Sequence, residues 1–163
     1  MKPQALYETL WQAVQGREED IVLRCGDKSL SYGALFQGIL QAEAGLRALG
    51  VGPGELVTLF SLNTPEAVMA FYAIDRIGAV ANWVDMKVSP AEVEEYLTQA
   101  GSRVALVLEV AFSKVYHHRG KAPTQHFVVL PLAPYVAPEL EGKLHLSTWQ
   151  QGAGPDCLSW ADF

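Results

Sequence analysis

The sequence predicts an α/β fold: a mostly parallel sheet with helices on both faces, doubly wound, with a small N-terminal β-hairpin. Three observations lead there. Four short runs, 56–60, 80–84, 104–108 and 127–130, are apolar along most of their length and rich in β-branched residues. Segments with helical spacing and helix-start signals alternate with them. Strands apolar on both faces need cover on both sides, which a parallel sheet between two helical layers provides. Third, half of the 163 residues are hydrophobic, and a chain of this length buries about 70% of its unfolded surface. Crossovers between such strands are expected to be right-handed.

The elements follow in order. Residues 2–15 predict an amphipathic helix, with Leu6, Leu10, Ala13 and Val14 on its core face. Residues 21–24 and 29–30 flank Cys25-Gly26-Asp27-Lys28, a hairpin signal. Ser31 is placed to cap a long helix ending near Leu49, its core face Leu35, Ile39, Ala42, Leu46 and Leu49. The run 56–60 is a strand. Thr64-Pro65 is a cap followed by a first-turn proline, starting a helix through about Ile77. The run 80–84 is the next strand, read as central. Ser89-Pro90-Ala91-Glu92 supplies a cap, a first-turn proline and a capping-box glutamate. Val93, Tyr96, Leu97 and Ala100 then form a helical stripe. Runs 104–108 and 127–130 complete the strands. From Pro131 onward prolines and glycines interrupt the chain and no period survives. The expected organisation is an α/β subdomain over 1–130 and a loop-rich tail over 131–163. Trp149, Trp160 and Phe163 lie in that tail, and large aromatics need cover. The chain stops without a terminal signal, so it is expected to be part of a longer protein.

Composition narrows the function classes. The net charge is −6, from 12 Lys+Arg against 18 Asp+Glu. A nucleic-acid platform needs clustered cations, and the densest basic cluster, 114–121, holds only three, so no nucleic-acid partner is expected. The two cysteines, Cys25 and Cys157, form neither a disulfide framework nor a metal spacing. The N-terminus lacks a secretory h-region. The apolar stretch 67–84 carries Asp75 and Arg76 in its middle, so no membrane span is expected. Reduced thiols and the absence of a leader point to the cytoplasm.

No candidate group rises to a site. Gly50-Val51-Gly52-Pro53-Gly54 suggests a phosphate loop, but a helix ends and a strand begins there. A phosphate cradle needs the reverse order, so Gly50 is expected as a left-handed helix end and 52–54 as a turn. His117, His118, His126 and His145 have no ligand partners at metal spacing and are expected to be solvated. Asp75 and Arg76, adjacent on a helix, do not face each other and are expected at its edge. Asn82 and Asp85 lie where open α/β sheets place ligands, yet structural satisfaction is favoured, with Asp85 binding loop backbone. Cys25 has no nearby base. No catalytic, cofactor-binding or metal-ligating residue is assigned.

Four stretches carry a resemblance. Lys28-Ser29-Leu30-Ser31-Tyr32-Gly33-Ala34-Leu35 is similar to an early (T/S)Y-x-x-L element. Leu49-Gly50-Val51-Gly52-Pro53-Gly54-Glu55-Leu56-Val57-Thr58 is similar to an LGV-x-x-GD-x-V turn. Asn63-Thr64-Pro65-Glu66 through Ala73-Ile74-Asp75-Arg76-Ile77-Gly78-Ala79-Val80 is similar to an N-x-x-E…A-x-x-K-x-GA helix. Ser89-Pro90-Ala91-Glu92-Val93-Glu94-Glu95-Tyr96-Leu97, then Ser102-Arg103-Val104-Ala105-Leu106-Val107, follows the next helix-strand unit. Together, over about 6–130, they resemble the N-terminal lobe of adenylate-forming (AMP-binding) enzymes. Arg76 stands for the usual Lys and Glu55 for Asp, and Asn82-Trp83-Val84-Asp85 departs from the peptide-synthetase YVP(I/L)D form. The resemblance therefore leans to acyl-CoA synthetases.

That resemblance implies a parent ligase, in fatty acid metabolism, that adenylates a carboxylate with ATP and Mg²⁺ and then forms a CoA thioester. The family's phosphate loop, adenine motif, ribose-binding Asp and catalytic Lys all come after the residues present. The chain alone is thus expected to hold no cofactor and to be inactive. Its expected partner is the remaining lobe, with self-association through exposed apolar surface. The rival expectations are a stand-alone α/β interaction module and a dinucleotide-binding domain.

Overall fold

The computed structural model describes residues 5–146 and 148–163. Helix α1 (Leu6–Ala13) leads into an antiparallel hairpin of β1 (Ile21–Cys25) and β2 (Lys28–Ser31). Then come α2 (Tyr32–Ala48), β3 (Leu56–Phe60), α3 (Pro65–Ile77), β4 (Val80–Val84), α4 (Pro90–Ala100) and β5 (Val104–Leu108). A 3₁₀ turn and the short α5 (Phe112–Tyr116) connect to β6 (His126–Leu130). Helix α6 (Pro138–Lys143) and β7 (Cys157–Ser159) follow. Strands β3 to β7 form one parallel sheet in the order β4-β3-β5-β6-β7.

The local signals act as the sequence predicts. Ser31 Oγ accepts the Ala34 N–H at 3.3 Å to start α2. Thr64 Oγ1 does the same for Ala67 at the start of α3, and Pro65 costs nothing where no intrahelical N–H bond is made. Ser89 and Glu92 form a reciprocal capping box on α4. Gly78 and Gly101 end α3 and α4 in the left-handed conformation.

Strand alternation then feeds two cores. Leu106 and Leu108 of β5 point to a cluster with α1, α2 and α3; Ala105 and Val107 point to a second cluster with α4 and α5. All five β5 residues are buried, as a strand between two helical layers requires. Among the described residues no helix is long and apolar enough to cross a membrane.

Three features differ from expectation. Helix α1 spans only Leu6–Ala13, and residues 2–4 of the predicted helix lie outside the described residues. Leu6 and Ala13 are exposed; Tyr7, Leu10 and Val14 face the core. The helix is rotated because α3 takes hold of Tyr7: Asp75 Oδ2 accepts its N–H at 2.9 Å and Arg76 lies 4.2 Å over its ring. Second, β4 is the sheet edge, not a central strand. After β4 the chain returns past β3 to place β5 on the far side, so β3 and β5 are neighbours inside the sheet. Third, residues beyond Leu130 are not only loops, since α6 forms and β7 pairs with β6. Tyr116 fastens the approach to β7, donating to Asp156 Oδ1 at 2.8 Å and accepting the Gly154 N–H at 2.9 Å.

Candidate functional site

In an open α/β sheet, ligands bind outside the carboxyl ends of the strands, where successive connections leave in opposite directions. Here that switch point lies between β3 and β5, because the chain steps from β3 to β4 on one side and then to β5 on the other. The residues just past these two strands are Ser61, Asn63, Thr64 and Glu66 after β3, and Glu109 after β5.

The segment 131–136 crosses this place. Leaving β6, its Leu132 side chain is buried in the first core cluster. Glu109 Oε2 accepts the N–H groups of Leu132 at 2.7 Å and Ala133 at 3.2 Å. Further on, the Tyr135 hydroxyl donates to Glu66 Oε1 at 2.5 Å. The hairpin turn closes against the same segment: a Cβ on Gly26 would stand 2.7 Å from the Tyr135 carbonyl oxygen. Burial pushes the Glu66 carboxyl up, against the Tyr135 hydrogen bond, which favours the ionised form. Burial and the neighbouring Glu66 push the Tyr135 hydroxyl up as well. Glu66 Oε2 is buried without a hydrogen-bond partner among the described residues.

Beside the switch point, a hollow of about 360 Å³ opens at the carboxyl ends of β3 and β4, lined by Ser61, Leu62, Asn63, Trp83, Asp85 and Met86. The Trp83 indole N–H donates to the Ser61 carbonyl at 2.9 Å and forms one wall. Asp85 Oδ1 accepts the Lys87 N–H at 2.8 Å, which is the loop-backbone role its sequence position suggests. Lys114 Nζ donates to the carbonyls of Met86 at 2.5 Å and Val88 at 3.0 Å, tying the β4–α4 loop to α5.

The other residues singled out from the sequence are engaged in structure. Asn82 Nδ2 donates to Thr58 Oγ1 at 3.2 Å, and that oxygen lies 2.7 Å from Ser102 Oγ in a buried network. Asp75 and Arg76 brace α1, and Arg76 also pairs with Glu43 of α2. Gly50 and Gly54 adopt positive φ at the opposite edge of the sheet, before β3. There the Gly52 N–H is bound by Glu55 Oε2 at 2.6 Å and the Gly54 N–H by the Gly78 carbonyl at 2.7 Å. The Gly52 N–H holds the Glu55 carboxyl below the ordinary range, assisted by Arg103.

One histidine departs from expectation. His118 is buried, not solvated, because Glu94 on α4 offers a carboxylate 3.1 Å from its Nδ1. Trp149 packs on Phe112, and Trp160 and Phe163 pack on each other against the α2 side. Gly45 of α2 admits Phe163, whose carbonyl oxygen would lie 2.5 Å from a Cβ there. Among the described residues no group of three or more His, Cys, Asp or Glu side chains could hold a metal ion. Sequence reasoning missed Glu66, Glu109 and Tyr135. Glu109 carried a usable signal, as the first polar residue after the most apolar strand; Tyr135 carried none.

A model of the AMP-binding enzyme family matches residues 10–154. The chain is 33% identical over 121 residues to a long-chain-fatty-acid–CoA ligase of Thermus thermophilus, covering 72% of this chain and 22% of that protein. It is 30% identical over 102 residues to a 3-hydroxybenzoate–CoA/4-hydroxybenzoate–CoA ligase of Thauera aromatica, covering 63% and 19%. The chain thus spans about a fifth of these relatives' length. Among solved structures its fold is similar to the anthranilate CoA ligase AuaEII in complex with anthranoyl-AMP, with TM-score 0.75, 24% identity, and 87% and 27% of the two chains covered. It is also similar to coronafacic acid ligase from Pectobacterium brasiliense, with TM-score 0.81, 14% identity, and 98% and 29% covered.

Proposed function

The chain belongs to the AMP-binding enzyme family, and from that premise we propose that it is the N-terminal lobe of an acid–CoA ligase, inactive by itself and completed by the remaining lobe. The parent enzyme adenylates a carboxylic acid with ATP, releasing pyrophosphate, and transfers the acyl group to CoA. Its setting is cytoplasmic fatty acid metabolism. The observation that carries this reading is the family match over 10–154 in a chain spanning about a fifth of its ligase relatives.

Among the described residues, the glycine turn, the starts of α3 and α4 and the amides of Leu132 and Ala133 do not fit a triphosphate with Mg²⁺. A phosphate needs free backbone N–H groups at a loop or helix start. Those of the glycine turn are bound by Glu55 and Gly78. Helix α3 begins with Pro65, which has no N–H, and its Ala67 N–H goes to Thr64. Helix α4 is closed by its Ser89–Glu92 box, and the N–H groups of Leu132 and Ala133 by Glu109. At each of these places an oxygen of the protein stands where a phosphate oxygen would bind. No step of the ligase reaction is therefore assigned to these residues; their role is to build the lobe.

The test is pyrophosphate release by the purified 163-residue chain with ATP, Mg²⁺, CoA and a panel of fatty and aromatic acids. No release is expected; turnover with any acid would refute the reading. Val80 and Trp83 on the β4 edge strand, and Leu62 beside Trp83 in the loop after β3, are substantially exposed, so self-association is part of the proposal and sedimentation over a concentration series checks it.

A further inference from the structure

We propose that residues 131–136 form a releasable strap over the switch point between β3 and β5, fastened as one unit by Glu109 and by the Glu66–Tyr135 hydrogen bond. The strap leaves the end of β6, passes the first residue after β5 and reaches the start of α3, so it spans the carboxyl ends of β3 and β5. Its contacts are unlike those of the sheet beside it. The ladder of β5 and β6 is continuous and buried, from Val104 paired with His126 to Leu108 paired with Leu130. The strap instead hangs on two side-chain carboxylates, one at each end. Pro131 and Pro134 remove two of its backbone donors, so it cannot add to a ladder. Between the fasteners two internal turns hold its shape, Tyr135 N–H to the Leu132 carbonyl and Val136 N–H to the Ala133 carbonyl, and Leu132, with Ala133 and Val136 beside it, packs on the first core cluster. A segment without ladder hydrogen bonds, in which Leu132 is the one buried residue, opens locally at a lower free energy than core strands such as β5, whose residues are buried throughout. The strap thereby governs whether the Glu66 carboxylate, buried at the start of α3, meets solvent.

Residue-resolved amide exchange by NMR tests this on the full chain. Each fastener is removed and the effect is read at the opposite end. Tyr135→Phe deletes one hydroxyl, and the reporters are the Leu132 and Ala133 amides held by Glu109. Glu109→Ala deletes the carboxylate, and the reporters are the Tyr135 and Val136 amides. The expected result is at least tenfold faster exchange at the distant reporters, with β5 and β6 amides unchanged. Effects confined to the mutated end would overturn the proposal, because the two contacts would then be independent. Acceleration shared with β5 and β6 would overturn it too, as would failure of both variants to fold, since the strap would then be part of the cooperative core. If only one variant folds, it decides the matter by the same reading.

Discussion

Replacing Thr58 by Val probes the buried polar network beneath β3. Thr58 and Ser102 are both fully buried, and their hydroxyl oxygens lie 2.7 Å apart. Thr58 Oγ1 also accepts from Asn82 Nδ2 at 3.2 Å. Valine fills nearly the same volume, so the cost is polar and leaves no cavity. Asn82 is only half-buried and can turn to water. Ser102 cannot, and an orphaned buried hydroxyl costs about 1–3 kcal/mol. With the lost Asn82 bond, the expected destabilisation is about 2–3 kcal/mol, or about 5–10 °C in Tm for a chain of this size. Ser102→Ala alone leaves Thr58 its Asn82 partner and should cost about 1 kcal/mol. The double variant removes both hydroxyls and orphans neither, so it should fall short of the sum by about 1 kcal/mol or more. Urea unfolding followed by circular dichroism and tryptophan fluorescence measures all four corners of the cycle. Additivity within about 0.5 kcal/mol would refute the reasoning, because the two hydroxyls would then not depend on each other.

Other expectations follow from the same structure. Leu106→Ala empties a fully buried position on the central strand and should cost about 3–5 kcal/mol in urea midpoint analysis; a loss under about 1.5 kcal/mol would mean the site collapses freely. Asp75→Ala frees the Tyr7 N–H at the start of α1 and should cost about 1 kcal/mol, with faster amide exchange in α1 while the strands hold. Glu66 titrates above the ordinary carboxylate value in the folded state, so its protonated form favours folding. That stability is present below the unfolded pKa and is lost as pH rises through the raised folded one. The stability of Glu66→Gln relative to the parent should therefore increase with pH across that window; a flat or falling difference in urea midpoints contradicts the assignment.

Much of the architecture is legible locally. Thr64-Pro65 and Ser89-Pro90-Ala91-Glu92 start helices because each brings its own caps, and 104–108 makes a central strand because it is apolar at every position. What escapes the sequence depends on distant partners. The rotation of α1 is set by Asp75, 68 positions beyond Tyr7. The burial of His118 is set by Glu94, 24 positions before it. Whether β4 is inner or edge is decided by where β5 lands, and nothing within 80–84 encodes that. Strand β7 has only three residues, too few to show a period, and Tyr116 anchors its approach from 40 positions away. The candidate site was hidden for the same reason: Glu66 and Tyr135 are 69 positions apart and meet only once the sheet exists.

The late position of β7 bears on how the chain folds during synthesis. Strands β4, β5 and β6 each arrive after a short helical connection and can pair with a strand already made. The last strand must wait for the whole stretch 131–156, and the closure entropy grows with that delay. Until it arrives, β6 presents a bare row of amides and carbonyls beside Phe127 and Val129, a template for any other nascent chain nearby. Pairing of β7 with β6, with Tyr116 holding Gly154 and Asp156 ahead of it, then shields that flank.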